Sequence, residues 1–208
     1  MKIVVFGATG TIGRQVVEQA LQRGHDVTAF VRDPAKVQCS DVRAVQGDVH
    51  DAAAVRTAVQ GQDAVIVALG AGRKGGVRGP GTRTIIAAMK AAGVDRLIVQ
   101  STLGVGDSRP NLTFMWKYLM FGLLLRPAYA DHVEQERYVR ESGLDWTIVR
   151  PAAFTDGPRT GTYRHGFGPH DTTVSVKISR ADVAEFVLKQ LDNSEYLHQT
   201  PGLAYAKG

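Results

Sequence analysis

Lys2-Ile3-Val4-Val5-Phe6-Gly7-Ala8-Thr9-Gly10-Thr11-Ile12-Gly13 is the stretch that decides how the rest of the chain is read. A short β-branched run, Lys2–Phe6, leads straight into three glycines. Behind them Ile12, Val16, Val17, Ala20 and Leu21 recur at helical spacing, and Gly24 follows as a C-terminal cap. Chemistry explains the spacing of the glycines. Gly7 lets the chain turn sharply, Gly10 leaves room for a diphosphate against the backbone, and Gly13 lets the helix pack closely on the strand. The free N–H groups of the helix N-terminus face the anion. Three glycines alone are a weak signal, but the flanking strand and helix supply the context that makes it specific. Thr9, Thr11 and Ile12 share the turn and join Gly7, Gly10 and Gly13 as candidate cofactor contacts.

The same alternation continues along the chain. Further strands are expected at Asp26–Val31, Val42–Gln46, Ala64–Val67, Arg96–Gln100 and Trp146–Arg150, each a nearly continuous apolar run of the kind covered on both faces. Ile85, Met89 and Ala92 form a second helical stripe closed by Gly93, and Val183, Phe186, Val187 and Leu191 a third. Strands alternating with helices imply right-handed crossovers and an α/β fold, a doubly wound parallel sheet with helices on both faces. Residues 1–208 read as one domain, with a small substrate or lid region over 105–130 and 152–175. Two glycine-rich loops interrupt the rhythm, Gly70–Gly81 and Thr155–Asp171. Loops this long are uncommon inside a compact domain unless they carry function.

Strand ends are where a doubly wound sheet binds its ligand. The second strand ends in Val31-Arg32-Asp33-Pro34-Ala35-Lys36. A carboxylate usually stands there in a site that prefers NAD. Arg32 instead can fork onto a 2′-phosphate, with Lys36 adding charge, so NADP(H) is expected over NAD(H). Asp33, one residue later, is either solvated or starts the next turn. Asp48 and Val49, after the third strand, are placed against the adenine. Ala68, Leu69 and Gly70, after the fourth, lie beside the diphosphate and ribose, and Arg73 in the following loop joins the candidate cofactor contacts.

Composition narrows the field. The 208 residues are 44% apolar and 22% charged, ordinary for a globular chain and unlike a disordered or collagenous one. The single cysteine, Cys39, cannot form an internal disulfide, which points to a reducing, cytoplasmic setting. A net charge of +5 without like-charge runs suits an anionic ligand and is too mild to indicate nucleic acid. The first apolar run is too short for a signal-peptide core. Leu112 to Leu125, broken by Lys117, falls short of the roughly 20 residues a membrane span needs, so this segment is expected to be buried or to form a lid.

The chain resembles the atypical short-chain dehydrogenase/reductase superfamily. It is most similar there to the biliverdin-IXβ/flavin reductase type and to NmrA-like proteins. The likeness runs through Phe6-Gly7-Ala8-Thr9-Gly10, Val31-Arg32-Asp33, Gly47-Asp48-Val49, Gly61-Gln62-Asp63-Ala64-Val65, Ala87-Ala88-Met89-Lys90-Ala91 and Arg140-Glu141-Ser142-Gly143-Leu144. It implies a Rossmann fold and an NADPH-dependent reductase of a small planar acceptor such as a flavin, a tetrapyrrole or a quinone. The superfamily's tyrosine followed four residues later by lysine is missing. Tyr118 meets Gly122 at that spacing, Tyr129 meets Val133, Tyr138 meets Ser142 and Tyr163 meets Phe167. Without that base, ordinary alcohol–ketone chemistry is not expected.

The resemblance also directs attention to the fifth strand's end, Gln100-Ser101-Thr102-Leu103-Gly104, where Ser101 and Thr102 are joint candidates for hydrogen bonding the acceptor or the nicotinamide. Asp131-His132 is expected to open a helix, with His132 either a proton donor near neutral pH or a solvated or capping residue. Pro151, Ala152, Ala153 and Phe154 are expected to line the nicotinamide pocket. Trp116 and Phe121 either stack on a flat substrate or belong to a dimer contact or plain core. His165 and His170 have no metal-site spacing, so no metal is expected. The alternative to an enzyme is a non-catalytic NADP(H)-binding redox sensor of the NmrA-like kind that docks a partner protein. Neither reading calls for nucleic acid or a membrane.

Overall fold

The computed structural model describes residues 1–208. Six parallel strands form its centre: β1 (Lys2–Phe6), β2 (Asp26–Val31), β3 (Arg43–Gln46), β4 (Ala64–Val67), β5 (Arg96–Gln100) and β6 (Asp145–Pro151). Each expected strand is present, with ends shifted by one residue at most. The order β3-β2-β1-β4-β5-β6 is the doubly wound one, with the reversal between β1 and β4. The third strand departs from the expected pattern: it is an edge strand with no fully buried residue.

Four short strands carry no apolar pattern and are legible only in the structure. β10 (Gly202–Ala204) extends the sheet parallel to β6, and β8 (Arg164–His165) closes it antiparallel to β10. β7 (Ala153–Thr155) and β9 (Lys177–Ser179) form a separate parallel pair. The sheet is therefore eight-stranded and mostly parallel.

Strand alternation divides the core between the two faces. Ile3 and Val5 point to the side covered by α1 (Thr11–Gln22) and α5 (Arg180–Asp192). Val4 and Phe6 point to the side covered by α2 (Ala52–Val59), α3 (Arg78–Ala92) and α4 (Arg126–Arg140). All four are 0% exposed, so β1 is buried on both faces. The helix stops are local. Gly24 at φ +77° follows α1 and Gly93 at φ +66° follows α3, both in the left-handed region where glycine has no steric penalty.

Two helices are not read correctly along the chain. α2, not expected from the sequence, buries Val55, Ala58 and Val59, and Asp51 caps it by accepting from the N–H groups of Ala53 and Ala54. α4 begins at Arg126, so Asp131 and His132 do not open it; they sit in its second turn on the buried face. Leu112–Leu125 joins the core through Leu112, 7% exposed, with Trp116 and Phe121 packed against it. Met115–Leu124 forms a π-helical stretch with no fully buried residue. No helix is long and apolar enough to cross a membrane.

Candidate active site

The carboxyl ends of β1, β2, β4, β5 and β6 open into one cleft of about 1030 Å³. Its floor is the glycine turn. A Cβ on Gly7, at φ +84°, would stand 2.4 Å from the Ala68 carbonyl oxygen, and one on Gly13 would stand 2.1 Å from the Gly7 oxygen. Strand, turn and helix can approach this closely only without side chains, as the spacing implied. Gly13 thus packs α1 onto β1 and does not itself line the cleft. Gly10 starts α1 with no side-chain cap, and no acidic residue stands in the first turn. The helix's free N–H groups therefore have no partner from the chain itself, and an anion fits there. The residues present suit a dinucleotide diphosphate.

Arg32 and Lys36 line the β2 end of the cleft. Asp33 starts the next turn, accepting from the Ala35 N–H at 3.1 Å, and draws Lys36 to 3.6 Å. Asp48 and Val49 lie beyond them on the wall. Ala68, Leu69 and Gly70 border the middle. Arg73 does not: it is exposed and stands off the wall. The loop turns at Gly72, Gly75 and Gly76, all at positive φ, and brings Lys74 and Arg78 to the cleft instead.

At the end of β5 the two hydroxyls part company. Ser101 is 0% exposed, and its Oγ donates to Glu136 Oε1 at 2.7 Å. Arg150 donates to both oxygens of the same carboxylate, from Nε at 2.9 Å and Nη2 at 2.7 Å. Burial works against the Arg150 charge, but Glu136 and Asp107 outweigh it and hold its pKa above the ordinary value. Ser101 is thus tied into a buried ion-pair network. Thr102 is half-buried, with only a 3.4 Å contact to the Leu103 carbonyl, and is the freer hydroxyl.

His132 is neither solvated nor a cap. It lines the cleft at 7% exposure. Burial first, and the Arg78 charge second, lower its pKa to about 3. It is therefore held as the neutral imidazole near pH 7, which argues against its acting as an imidazolium proton donor. Its Nδ1 has no hydrogen-bond partner. The neighbouring Asp131 does cap a helix, though not its own. Its carboxylate accepts from the N–H groups of Val77, Arg78 and Gly79 at 3.2, 3.0 and 2.9 Å, closing the start of α3.

The β6 end of the cleft is walled by large flat side chains. Trp116 and Phe121 stand with ring centres 5.7 Å apart, and Tyr129 lies 5.1 Å beyond Phe121. Tyr129 was not anticipated; it reaches the wall from α4 and donates to the Gly104 carbonyl at 3.1 Å. Gly104 sits at φ +104°, and a Cβ there would strike Leu112 at 2.3 Å. Pro151, Ala152, Ala153 and Phe154 complete this end. The outer side of the π-helical stretch and its approach is exposed, with Phe114 at 78%, Tyr118 at 58% and Leu123 at 68%.

Comparison with known proteins agrees with this geometry. Residues 7–194 match the family model described as NAD(P)H-binding. The uncharacterized protein YwnB of Bacillus subtilis (strain 168) is 32% identical over 215 residues, spanning 96% of each chain. Among solved structures, ChuY of Escherichia coli O157:H7, described as an anaerobillin reductase, superposes with a TM-score of 0.80 at 27% identity, covering 98% of this chain and 97% of that one. A short-chain dehydrogenase/reductase of Veillonella parvula DSM 2008 in complex with NADP gives a TM-score of 0.81, covering 98% and 94%; at 18% identity it speaks for the fold alone. The glycine turn, the strand order and the family match over residues 7–194 together make the chain a member of the NAD(P)H-binding family, with a Rossmann-type fold.

Proposed function

We propose that the protein is an NADPH-dependent reductase of a flat conjugated acceptor: a flavin, a biliverdin-like tetrapyrrole or a quinone. The observation that carries this reading is the continuity of the glycine-floored half of the cleft with the half walled by Trp116, Phe121, Tyr129 and Phe154. At about 1030 Å³ the cleft matches the upper end of the usual ligand-pocket range of roughly 300–1,000 Å³. A dinucleotide and a ring system side by side would fill it. The bound cofactor supplies a hydride, and a solvent proton completes the two-electron reduction of the acceptor.

The chain's own residues bind and orient. Gly7, Thr9, Gly10, Thr11 and Ile12 seat the diphosphate, Arg32 and Lys36 hold the 2′-phosphate, and Asp48 and Val49 meet the adenine. Thr102 is the hydroxyl offered to the acceptor or the nicotinamide, and Ser101 stiffens the strand end behind it. The tyrosine–lysine pair is missing, and burial holds His132 as the neutral imidazole near pH 7. A conjugated acceptor tolerates that, because charge delocalised over its rings does not need an immediate proton from the protein. The anaerobillin reductase likeness supports the same acceptor class.

Stopped-flow mixing of the protein and NADPH with FMN, biliverdin, dichlorophenolindophenol and menadione tests the reading. Oxidation of NADPH with at least one of them is expected, and none with any would refute it. The exposed Phe114, Tyr118 and Leu123 favour a second reading, a redox sensor that docks a partner. Tight NADP(H) binding without turnover, together with a recovered partner, would select it.

A further inference from the structure

Cations are spread along the whole cleft. Arg32 and Lys36 stand at the β2 end, Lys74 and Arg78 on the loop after β4, and Arg180 alone at the β6 end; Asp48 is the single carboxylate on the wall. The 2′-phosphate accounts for the first pair. Arg180 is unused by the reading above.

Arg180 is also a poor choice for the helix that carries it. It is the first residue of α5, where the backbone dipoles already favour an anion. The helix's own needs are met by Ser179, which caps Asp182, and by Asp182 itself in the first turn. The Arg180 guanidinium lies 5.6 Å from the Phe154 ring centre, on the acceptor wall. Its Nη1 meets Asp156 Oδ1 at 2.7 Å, but the Asp156 side chain is 97% exposed, and a partner so solvated holds a guanidinium weakly. The Arg180 Nε is buried with no partner at all.

That vacancy fits a pattern. Of the buried side-chain atoms lacking a hydrogen bond, those away from the cleft are all glutamine oxygens: Gln19, Gln62, Gln135 and Gln190. Those on the cleft wall are all nitrogens: Arg78 Nε and Nη1, His132 Nδ1 and Arg180 Nε. The wall thus holds several buried nitrogens without a hydrogen-bond partner, and each such group calls for an explanation.

We propose that Arg180 determines acceptor specificity by pairing with an acidic group, carboxylate or phosphate, at the edge of a flat acceptor whose ring packs beside Phe154. The proposal rests on the reductase reading. An anion arriving there takes over from Asp156, and guanidinium pairs with carboxylate and phosphate are charge-assisted and frequently bidentate.

Two ligand pairs isolate the acidic group. FMN and riboflavin share a ring system and differ by a phosphate; biliverdin and its dimethyl ester differ by two carboxylate charges. Binding of each to the NADP⁺-loaded protein is measured by fluorescence quenching, with NADPH oxidation followed in parallel. In at least one pair the charged form is expected to bind about tenfold tighter or more, and the pair that discriminates tells phosphate from carboxylate. Arg180→Gln should abolish the difference while leaving the uncharged form and NADP⁺ bound as before. Asp156→Asn, at a solvated position, should tighten the charged form severalfold by removing its competitor. Equal affinities within both pairs for the unsubstituted protein, or an Arg180→Gln loss shared by charged and uncharged forms, would overturn the proposal. Discriminating binding without any NADPH oxidation would sink the reductase reading and leave Arg180 in its role; oxidation without discrimination would do the reverse.

Discussion

Replacing His132 by asparagine should make the protein's stability less sensitive to acid, by an amount that the structure sets. In the native state this imidazole is 7% exposed and beside Arg78. Its pKa falls from 6.5 to about 3, through burial first and the Arg78 charge second. The folded value lies below the unfolded one, so on acidification the unfolded chain takes up the proton first. Stability is undiminished above pH 6.5 and declines as the pH drops from there toward 3. At pH 5 the unfolded imidazole is about 1.5 pH units below its pKa while the native one is still neutral, which costs about 2 kcal/mol.

Urea unfolding of both proteins at pH 7.5 and pH 5.0 measures this directly. The unsubstituted protein should lose about 2 kcal/mol more between the two conditions than His132→Asn does. Taking the difference of differences removes the other titrating groups, His25 among them, and also the fixed cost of the substitution. An identical acid loss in both proteins would show that His132 titrates normally and would return it to the list of proton donors.

Three other outcomes follow from the same geometry. Arg32→Ala should weaken NADPH binding by roughly tenfold to a hundredfold and leave NADH nearly unchanged; equal losses in titration calorimetry would make the arginine structural. Glu136→Ala removes the buried partner of Arg150, which is 1% exposed, and leaves it only the exposed Asp107; it should destabilise by about 3 kcal/mol in denaturant melts. Glu141→Ala, which breaks only the exposed 3.3 Å pair with Arg137, should cost under about 0.5 kcal/mol, so a comparable effect of the two would refute the buried network. Gly104→Ala forces a Cβ at φ +104° against Leu112 and should lower the melting temperature, with a cost of roughly 1–3 kcal/mol. An unchanged melting temperature would mean that the turn relaxes freely.

The central strands, the helices α1, α3 and α5 and the glycine turn were legible in the sequence by itself, because each is written in neighbouring residues. Lys2–Phe6 is a strand by its own apolar run. Gly7, Gly10 and Gly13 make a turn by their own missing side chains, and Arg32 follows a strand end whose position in a parallel sheet is fixed by alternation alone. The tertiary structure decided what depends on segments distant along the chain. Asp131 caps α3 from a different helix. Ser101 loses its free hydroxyl to Glu136, 35 residues away. Burial on α4 beside Arg78 lowers the His132 pKa, and Tyr129 and Arg180 reach the cleft wall from separate helices. Hydrophobic periodicity and turn chemistry are local and can be read along the chain. Burial, desolvation and ion pairing belong to packed neighbours, and those exist only once the sheet and its helices have closed around them.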